Sequence, residues 1–193
     1  QEATLAAPDA AADDLFGASV ALSGDGSRAL VGAWRDDTTA GADAGSARVF
    51  LRTGTTWAQE ATLSAPDGAT LDYLGRSVAL SGDGSLALVG AANDTTAGGP
   101  GGSARVFLRS GTTWTHEATL FRPDGVANDS FGNSVALSSD GGRALVGAYF
   151  DSTAGGMSAG SARIFVRTGT TWADEATLLA PDGAAGDWFG NAV

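Results

Sequence analysis

The sequence predicts an all-β fold made of propeller blades, each a sheet of four antiparallel strands. Three observations predict it. One unit recurs along the chain: LFGASVALSGDGSRALVGA, YLGRSVALSGDGSLALVGA and SFGNSVALSSDGGRALVGA, followed in turn by GSARVFLRTGTTW, GSARVFLRSGTTW and GSARIFVRTGTTW. Trp57, Trp114 and Trp172 mark one phase and Gly17, Gly75, Gly132 and Gly190 another, a period of 57–58 residues. A period of this length means one supersecondary unit that buries its apolar face against the next copy. Each unit contains four short strand-like runs with turn signals between them, as a blade requires.

The first full unit sets out the strands in order. Residues 19–23 (SVALS) and 29–33 (ALVGA) are short apolar runs joined by Gly24-Asp25-Gly26, a tight-turn signal. Residues 46–52 (SARVFLR) alternate, with Ala47, Val49 and Leu51 on one side and Arg48 and Arg52 on the other. Residues 57–63 (WAQEATL) alternate too, after the hairpin-like Thr53-Gly54-Thr55-Thr56. The first two strands are apolar on both sides and belong inside, between neighbouring blades. The last two carry Arg, Glu and Thr on one side and belong at the rim. The expected organisation is residues 1–15 as the end of a preceding blade (outer strand and loop), full blades at 16–73, 74–130 and 131–188, and the start of another at 189–193. Gln1 aligns with Gln59 and Val193 with Val20, so both ends fall in mid-strand, as expected of a processed product, a protomer or part of a longer array.

Antiparallel strands reverse direction at each connection, so the two short turns share one face and the two long connections share the other. In the first unit the long ones are 34–45 and 64–73. The long-loop face is thus expected to gather acids, among them Asp36, Asp37, Asp43, Asp67, Asp72 and Asp94, and the aromatic residues Trp34, Tyr73, Tyr149 and Trp188. Loops held on a rigid scaffold are where binding residues concentrate.

Composition narrows the partners. The chain has 193 residues, 22 acids, 11 bases and a formal net charge of -11. Every base is Arg, and 18 of the acids are Asp. This balance argues against nucleic acid and anionic membranes, both of which select basic surfaces. No apolar run is long enough to insert into a bilayer. With no Cys, no Lys and the single His116, a Cys-His or Ser-His-Asp centre, a Lys Schiff base and a His-rich zinc site are not expected. His116 is read as a surface residue on a rim strand.

Phe16-Gly17 with Val31-Gly32-Ala33 resembles the FG-GAP repeat of integrin α-subunit propellers and bacterial surface proteins. Leu74-Gly75 with Gly90-Ala91 and Phe131-Gly132 with Gly147-Ala148 repeat the pattern in register, and Phe189-Gly190 begins it again. The resemblance implies a propeller, usually of seven blades, in an extracellular or cell-surface binding or adhesion role. It also implies calcium, held by several acids between the first and second strands. Here that connection carries one carboxylate per unit, Asp25, Asp83 or Asp140, so no cofactor is expected. The family's Pro after Gly-Ala is replaced by Trp34, Ala92 and Tyr149. Seven blades at this period would need roughly 400 residues, so further blades or further copies are expected to close the array.

Residues that break the repeat are the better site candidates. The expected ligand-binding set is Trp34, Arg35, Asp36, Asp37, Tyr73, Asp94, Tyr149, Phe150, Asp151 and Trp188, with no catalytic and no metal-binding residue. Exposed aromatics beside Asp suit a glycan or a protein ligand. The strictly recurring Asp14, Asp72, Asp129 and Asp187 could ring a cation or sugar hydroxyls, but recurrence favours a turn role, each accepting backbone N–H bonds. Asp9, Asp67, Asp124 and Asp182, after Pro, are read the same way. Glu2, Glu60, Glu117 and Glu175 are one position repeated, and Arg48, Arg105 and Arg163 stand twelve residues before the last three. A hairpin would set these opposite as rim ion pairs. The leading expectation is a non-enzymatic binding, adhesion or surface-assembly module. The alternatives are a structural protomer of a filament or sheath joined by strand pairing and, behind it, a glycan-active enzyme.

Overall fold

The computed structural model describes residues 3–95 and 101–193. Among them are twelve strands and no helix. The first sheet is β1 (Ser19–Leu22), β2 (Arg28–Ala33), β3 (Ser46–Thr53) and β4 (Thr56–Leu63). The second is β5 (Leu74–Leu80), β6 (Leu86–Ala91), β7 (Ser103–Ser110) and β8 (Thr113–Phe121). The third is β9 (Phe131–Leu137), β10 (Arg143–Ala148), β11 (Ser161–Thr168) and β12 (Thr171–Leu178). Each sheet is an antiparallel meander in chain order. Part of the strand expected before residue 15 falls on Gln1 and Glu2, outside the described residues. Residues 3–15 carry turns and no strand.

Period-two alternation decides what each strand buries. Along β6, Ala87, Val89 and Ala91 join Leu30, Val49 and Leu63 of the first sheet in one core layer. Leu86 and Leu88 join Phe131, Val135 and Val146 of the third sheet in the next. The core is therefore the space between sheets. Neighbouring sheets touch mainly through their first and second strands, while β4, β8 and β12 diverge. The inner strands are apolar on both faces for this reason, and every residue of β6 is buried. Val20 is 69% exposed, whereas its equivalents Val78 and Val135 are 9% and 8% exposed. No preceding sheet covers Val20 among the described residues.

At the inner edge the sheets meet backbone to backbone. A Cβ at Gly90 would stand 1.9 Å from the carbonyl oxygen of Gly132 in the next sheet. Gly32 faces Gly75 and Gly147 faces Gly190 in the same way. Gly in a strand commonly marks such an approach. The carbonyl on the other side is satisfied, since Ser19, Ser77 and Ser134 donate their hydroxyls to Gly75, Gly132 and Gly190 at 2.7–2.8 Å. Backbone bonds run between sheets as well, from Gly24 N to Gly82 O and from Gly82 N to Ser139 O, both at 2.8 Å.

At the outer edge the expected ion pairs change partner. The β3–β4 register passes from Val49↔Ala61 to Phe50↔Gln59, so Glu60 is the extra residue of a β-bulge. Glu117 and Glu175 occupy the same bulge in the other sheets. The bulge turns each Glu away from the cross-strand Arg. Glu60 instead accepts from Arg28 at 3.0 Å and from the Trp114 indole of the next sheet at 3.2 Å. Where Leu86 replaces that Arg, Glu117 accepts from Arg167 at 2.8 Å and Trp172 at 2.9 Å, both of the next sheet. Glu175 pairs with Arg143 at 2.9 Å. Burial works against the charge of Glu60 and Glu117, but hydrogen bonds from Arg and Trp outweigh it and hold both carboxyls below the usual range. The expected Arg48–Glu60, Arg105–Glu117 and Arg163–Glu175 pairs do not form, and Glu2 lies outside the described residues.

Gly90→Ala is expected to cost more than about 3 kcal/mol, because backbone cannot yield as a side chain can. Gly111→Ala, at φ 64° with nothing within 4 Å of a new Cβ, is expected to cost only roughly 1–2 kcal/mol. Urea unfolding of the two variants checks this; equal losses would contradict the seam.

Candidate functional site

The long connections do share one face. Leu71, Tyr73 and Leu74 donate backbone N–H bonds to Ala42, Asp43 and Ala44, tying the loop before β5 to the loop after β2. Gly186, Trp188 and Phe189 repeat this against Met157, Ser158 and Ala159. Each loop leading into a blade enters through a left-handed residue just before its FG or LG pair: Leu15, Tyr73, Ser130 and Trp188 have φ of 55°, 60°, 56° and 56°. Non-glycine residues hold such a conformation only where the surroundings enforce it. Here the turn is closed by the recurring Asp. Asp14, Asp72, Asp129 and Asp187 each accept the N–H of the residue three before at 2.6–2.8 Å. The turn role expected of these acids is what the structure gives them.

Most of the other acids on this face also serve the scaffold. Asp36 accepts from Ser46 Oγ at 2.5 Å and from Arg48 at 2.9 Å. Asp94 accepts from Ser103 Oγ at 2.5 Å and from Arg105 at 2.6 Å. Asp9 and Asp67 sit in the turns expected of them, closed by Ala10 N to Ala7 O and Gly68 N to Ala65 O, and also reach the same two Arg side chains at 2.8 and 2.7 Å. The third blade departs because Arg122 stands where the other units have Ala65 and Ala180. It pairs with Asp151 at 2.8 Å and lies 3.3 Å from Asp129. Arg163 then pairs with Asp124 at 2.5 Å and with Asp174. Asp36, Asp94 and Asp151, expected to bind ligand, are thus buried in internal ion pairs, with Asp94 only 1% exposed. Burial pushes the Asp72 carboxyl up, and neighbouring Asp94 adds to this against the Ala69 N–H that lowers it.

Asp25, Asp83 and Asp140 close the short turns. Each accepts from the Ser hydroxyl two residues before it and from the N–H two residues after. Asp37 stays exposed and accepts the Asp43 N–H at 2.8 Å. His116 is half-buried on β8, beside Thr119 at 3.1 Å and edge-on to Phe107. Burial, then the charge of Arg105, lowers its pKa.

The aromatic candidates come together where one repeat unit meets the next. At the first junction Trp34 meets Tyr73 edge to face, with centroids 4.9 Å apart. At the third, Tyr149 meets Trp188 at 6.4 Å and Phe150 at 4.0 Å. Arg35 and Arg76 both place their guanidinium over Trp34, at 4.7 and 5.0 Å. The middle junction has Ala92 and Ser130 instead, and an open cleft of about 170 Å³ lies there, its lining including Tyr73, Arg76, Asn93, Asn133 and Tyr149. Arg76, Asn93 and Asn133 are site residues that the repeat pattern did not single out. The signal was present: Arg76 and Asn133 stand where the first unit has Ala18.

The FG-GAP repeat model matches residues 1–50, 57–107, 114–165 and 172–193, nearly the whole chain. The chain belongs to the FG-GAP repeat family. No curated protein sequence matches it. Among solved structures it resembles hydrazine synthase of Kuenenia stuttgartiensis, with a TM-score of 0.54 and 11% identity over 93% of this chain and 40% of that one. It also resembles a putative 6-phosphogluconolactonase from Bacteroides uniformis, with a TM-score of 0.52 and 12% identity over 86% of this chain and 41% of that one. The chain spans about two fifths of each, and the likeness is one of fold. Among the described residues of this FG-GAP array, no helix is long and apolar enough to cross a membrane.

Arg105→Met is expected to cost about 3–5 kcal/mol, because it strips the cation from a buried pair. Arg143→Met, at an exposed pair, should cost far less. Thermal and urea unfolding measure both, and equal costs would deny Arg105 its place beneath the loop face.

Proposed function

We propose that this FG-GAP array is a non-enzymatic binding module, working outside the cell or at its surface, that takes a glycan or protein ligand on its long-loop face. One observation carries the proposal. Among the side chains that differ between otherwise repeated units are aromatic and cationic ones of that face, Trp34, Arg35, Arg76, Tyr149, Phe150 and Trp188. Phe150 is 37% and Trp188 51% exposed. Side chains that vary on a repeated frame fit recognition, since the frame supplies rigidity and the variable positions supply specificity. Large aromatics on a stiff backbone bind at low entropic cost. Weak contacts at successive junctions add through linkage. An adhesive or surface-assembling role follows from such multivalency. The acids that would serve a hydrolytic pair are largely engaged in the scaffold, which favours binding over catalysis.

A structural role is a second reading, favoured by the end faces. Val20 and Leu22 at one end are exposed, and an apolar hollow lined by Leu137, Leu145 and Ile164 lies at the other. Inside the array the equivalent positions Val78 and Leu80 are covered by a neighbouring sheet. A further blade, or another copy, fits the same way.

Glycan and protein arrays probed with the wild type, Trp34→Ala and Trp188→Ala test the first reading. Binding lost in a folded variant is expected. Binding unchanged in both would refute the loop face, and ordered fibres in negative stain with no array signal would favour the second reading.

A further inference from the structure

We propose that the cleft over the second junction binds a carboxylate-bearing pyranose, a hexuronate unit of an acidic polysaccharide. The inference rests on the binding role proposed above and names its ligand class.

The cleft exists because one junction lacks its aromatic pair. Trp34 and Tyr73 fill the first junction, and Tyr149 and Trp188 fill the third. Ala92 and Ser130, only 8% and 9% exposed, form the floor of the second. Half-buried Trp34 and Tyr73 stand on one side and Tyr149 on the other. A volume of about 170 Å³ is below the roughly 300–1,000 Å³ of pockets for larger ligands, so it suits one ring. Aromatic walls suit the C–H face of a pyranose. The Asn93 and Asn133 side chains offer donors and acceptors for ring hydroxyls.

Charge makes the choice narrower. The chain carries 22 acids, yet no carboxylate lines this cleft. The acids next to its lining turn inward: Asp72 to Ala69 N, Asp94 to Arg105 and Asp129 to Val126 N. The neighbouring clefts of the same face are acidic, one lined by Asp9, Asp36 and Asp37 and the other by Asp13, Asp14 and Asp43. Arg76 is exposed at the rim, and among the described residues it has no carboxylate within 4.0 Å. Its Nε donates to Asn133 Oδ1 at 3.3 Å, and its guanidinium lies over Trp34. In a chain where most Arg side chains are paired with acids, this one is held open at the mouth of an acid-free, aromatic-walled cleft. A planar guanidinium matches the two oxygens of a carboxylate.

The test titrates the full chain with D-glucuronate and D-galacturonate, with D-glucose and D-galactose as neutral counterparts and acetate as the bare carboxylate. Saturation-transfer NMR and tryptophan fluorescence report binding. Millimolar binding of a hexuronate is expected, about tenfold tighter than its neutral counterpart, the size of one charge-assisted contact. Acetate should not saturate the site. Arg76→Gln should bring the hexuronate down to the level of the neutral sugar, and Asn93→Ala should weaken both. Ala92→Tyr with Ser130→Trp, copying the third junction, should fill the cleft and abolish binding. Trp188 already occupies that left-handed backbone position, so the fold is expected to accept it. No hexuronate binding, equal binding of the neutral sugars, or binding that survives Arg76→Gln and Asn93→Ala would overturn the proposal. Array signals lost in Trp188→Ala with no hexuronate binding would overturn this inference alone, and silence in both would overturn the binding role too.

Discussion

Backbone touches backbone where the sheets meet, and the rest of the molecule is arranged around that contact. The carbonyls of Gly75, Gly132 and Gly190 lie where a side chain at Gly32, Gly90 and Gly147 would be. This fixes how closely each sheet approaches the next. The layers outward of the seam are filled mainly by Ala, Val and Leu, with Phe107, Phe131 and Phe165 among them. The same approach also carries the loops of adjacent blades close enough to hydrogen-bond. Dispersion and burial then follow from a spacing that glycine alone permits.

A net charge of -11 favours acids spread over the surface. Instead Asp14, Asp36, Asp72, Asp94, Asp129 and Asp151 of the loop face are buried. They close turns through backbone N–H groups or pair with Arg48, Arg105 and Arg122. Arg48, Arg105 and Arg163 tie β3, β7 and β11 to acids of the loops. The face that remains exposed is defined as much by the acids removed from it as by the aromatics left on it. The cleft at Ala92 and Ser130 is the clearest instance, with a cation at its rim and no carboxylate in its lining.

Strand number, strand order and the shared face of the long loops were legible in the sequence, because the repeat period and the two-residue alternation act on every copy alike. The turn role of Asp14, Asp72, Asp129 and Asp187 was legible for the same reason. The Glu partners were not. A β-bulge shifts register by one residue, and nothing in WAQEATL marks where the extra residue falls. The internal roles of Asp36, Asp94 and Asp151 were also hidden, since their partners stand eleven or twelve positions away on another strand, or on Arg122 in the preceding loop. The cleft was hidden because it is made by small residues, and a search for conspicuous side chains passes over Ala92 and Ser130.

Residue-by-residue amide hydrogen exchange tests the locked seam most directly. The N–H groups of Gly82 and Phe131 bond across sheets, to Ser139 and Gly101. If adjacent sheets form one cooperative unit, these amides should exchange as slowly as those in the middle of β6 and β7. Exchange at the rate of the exposed hairpin turns, with the strands still protected, would mean that each sheet holds itself together alone and that the seam is not what the fold depends on.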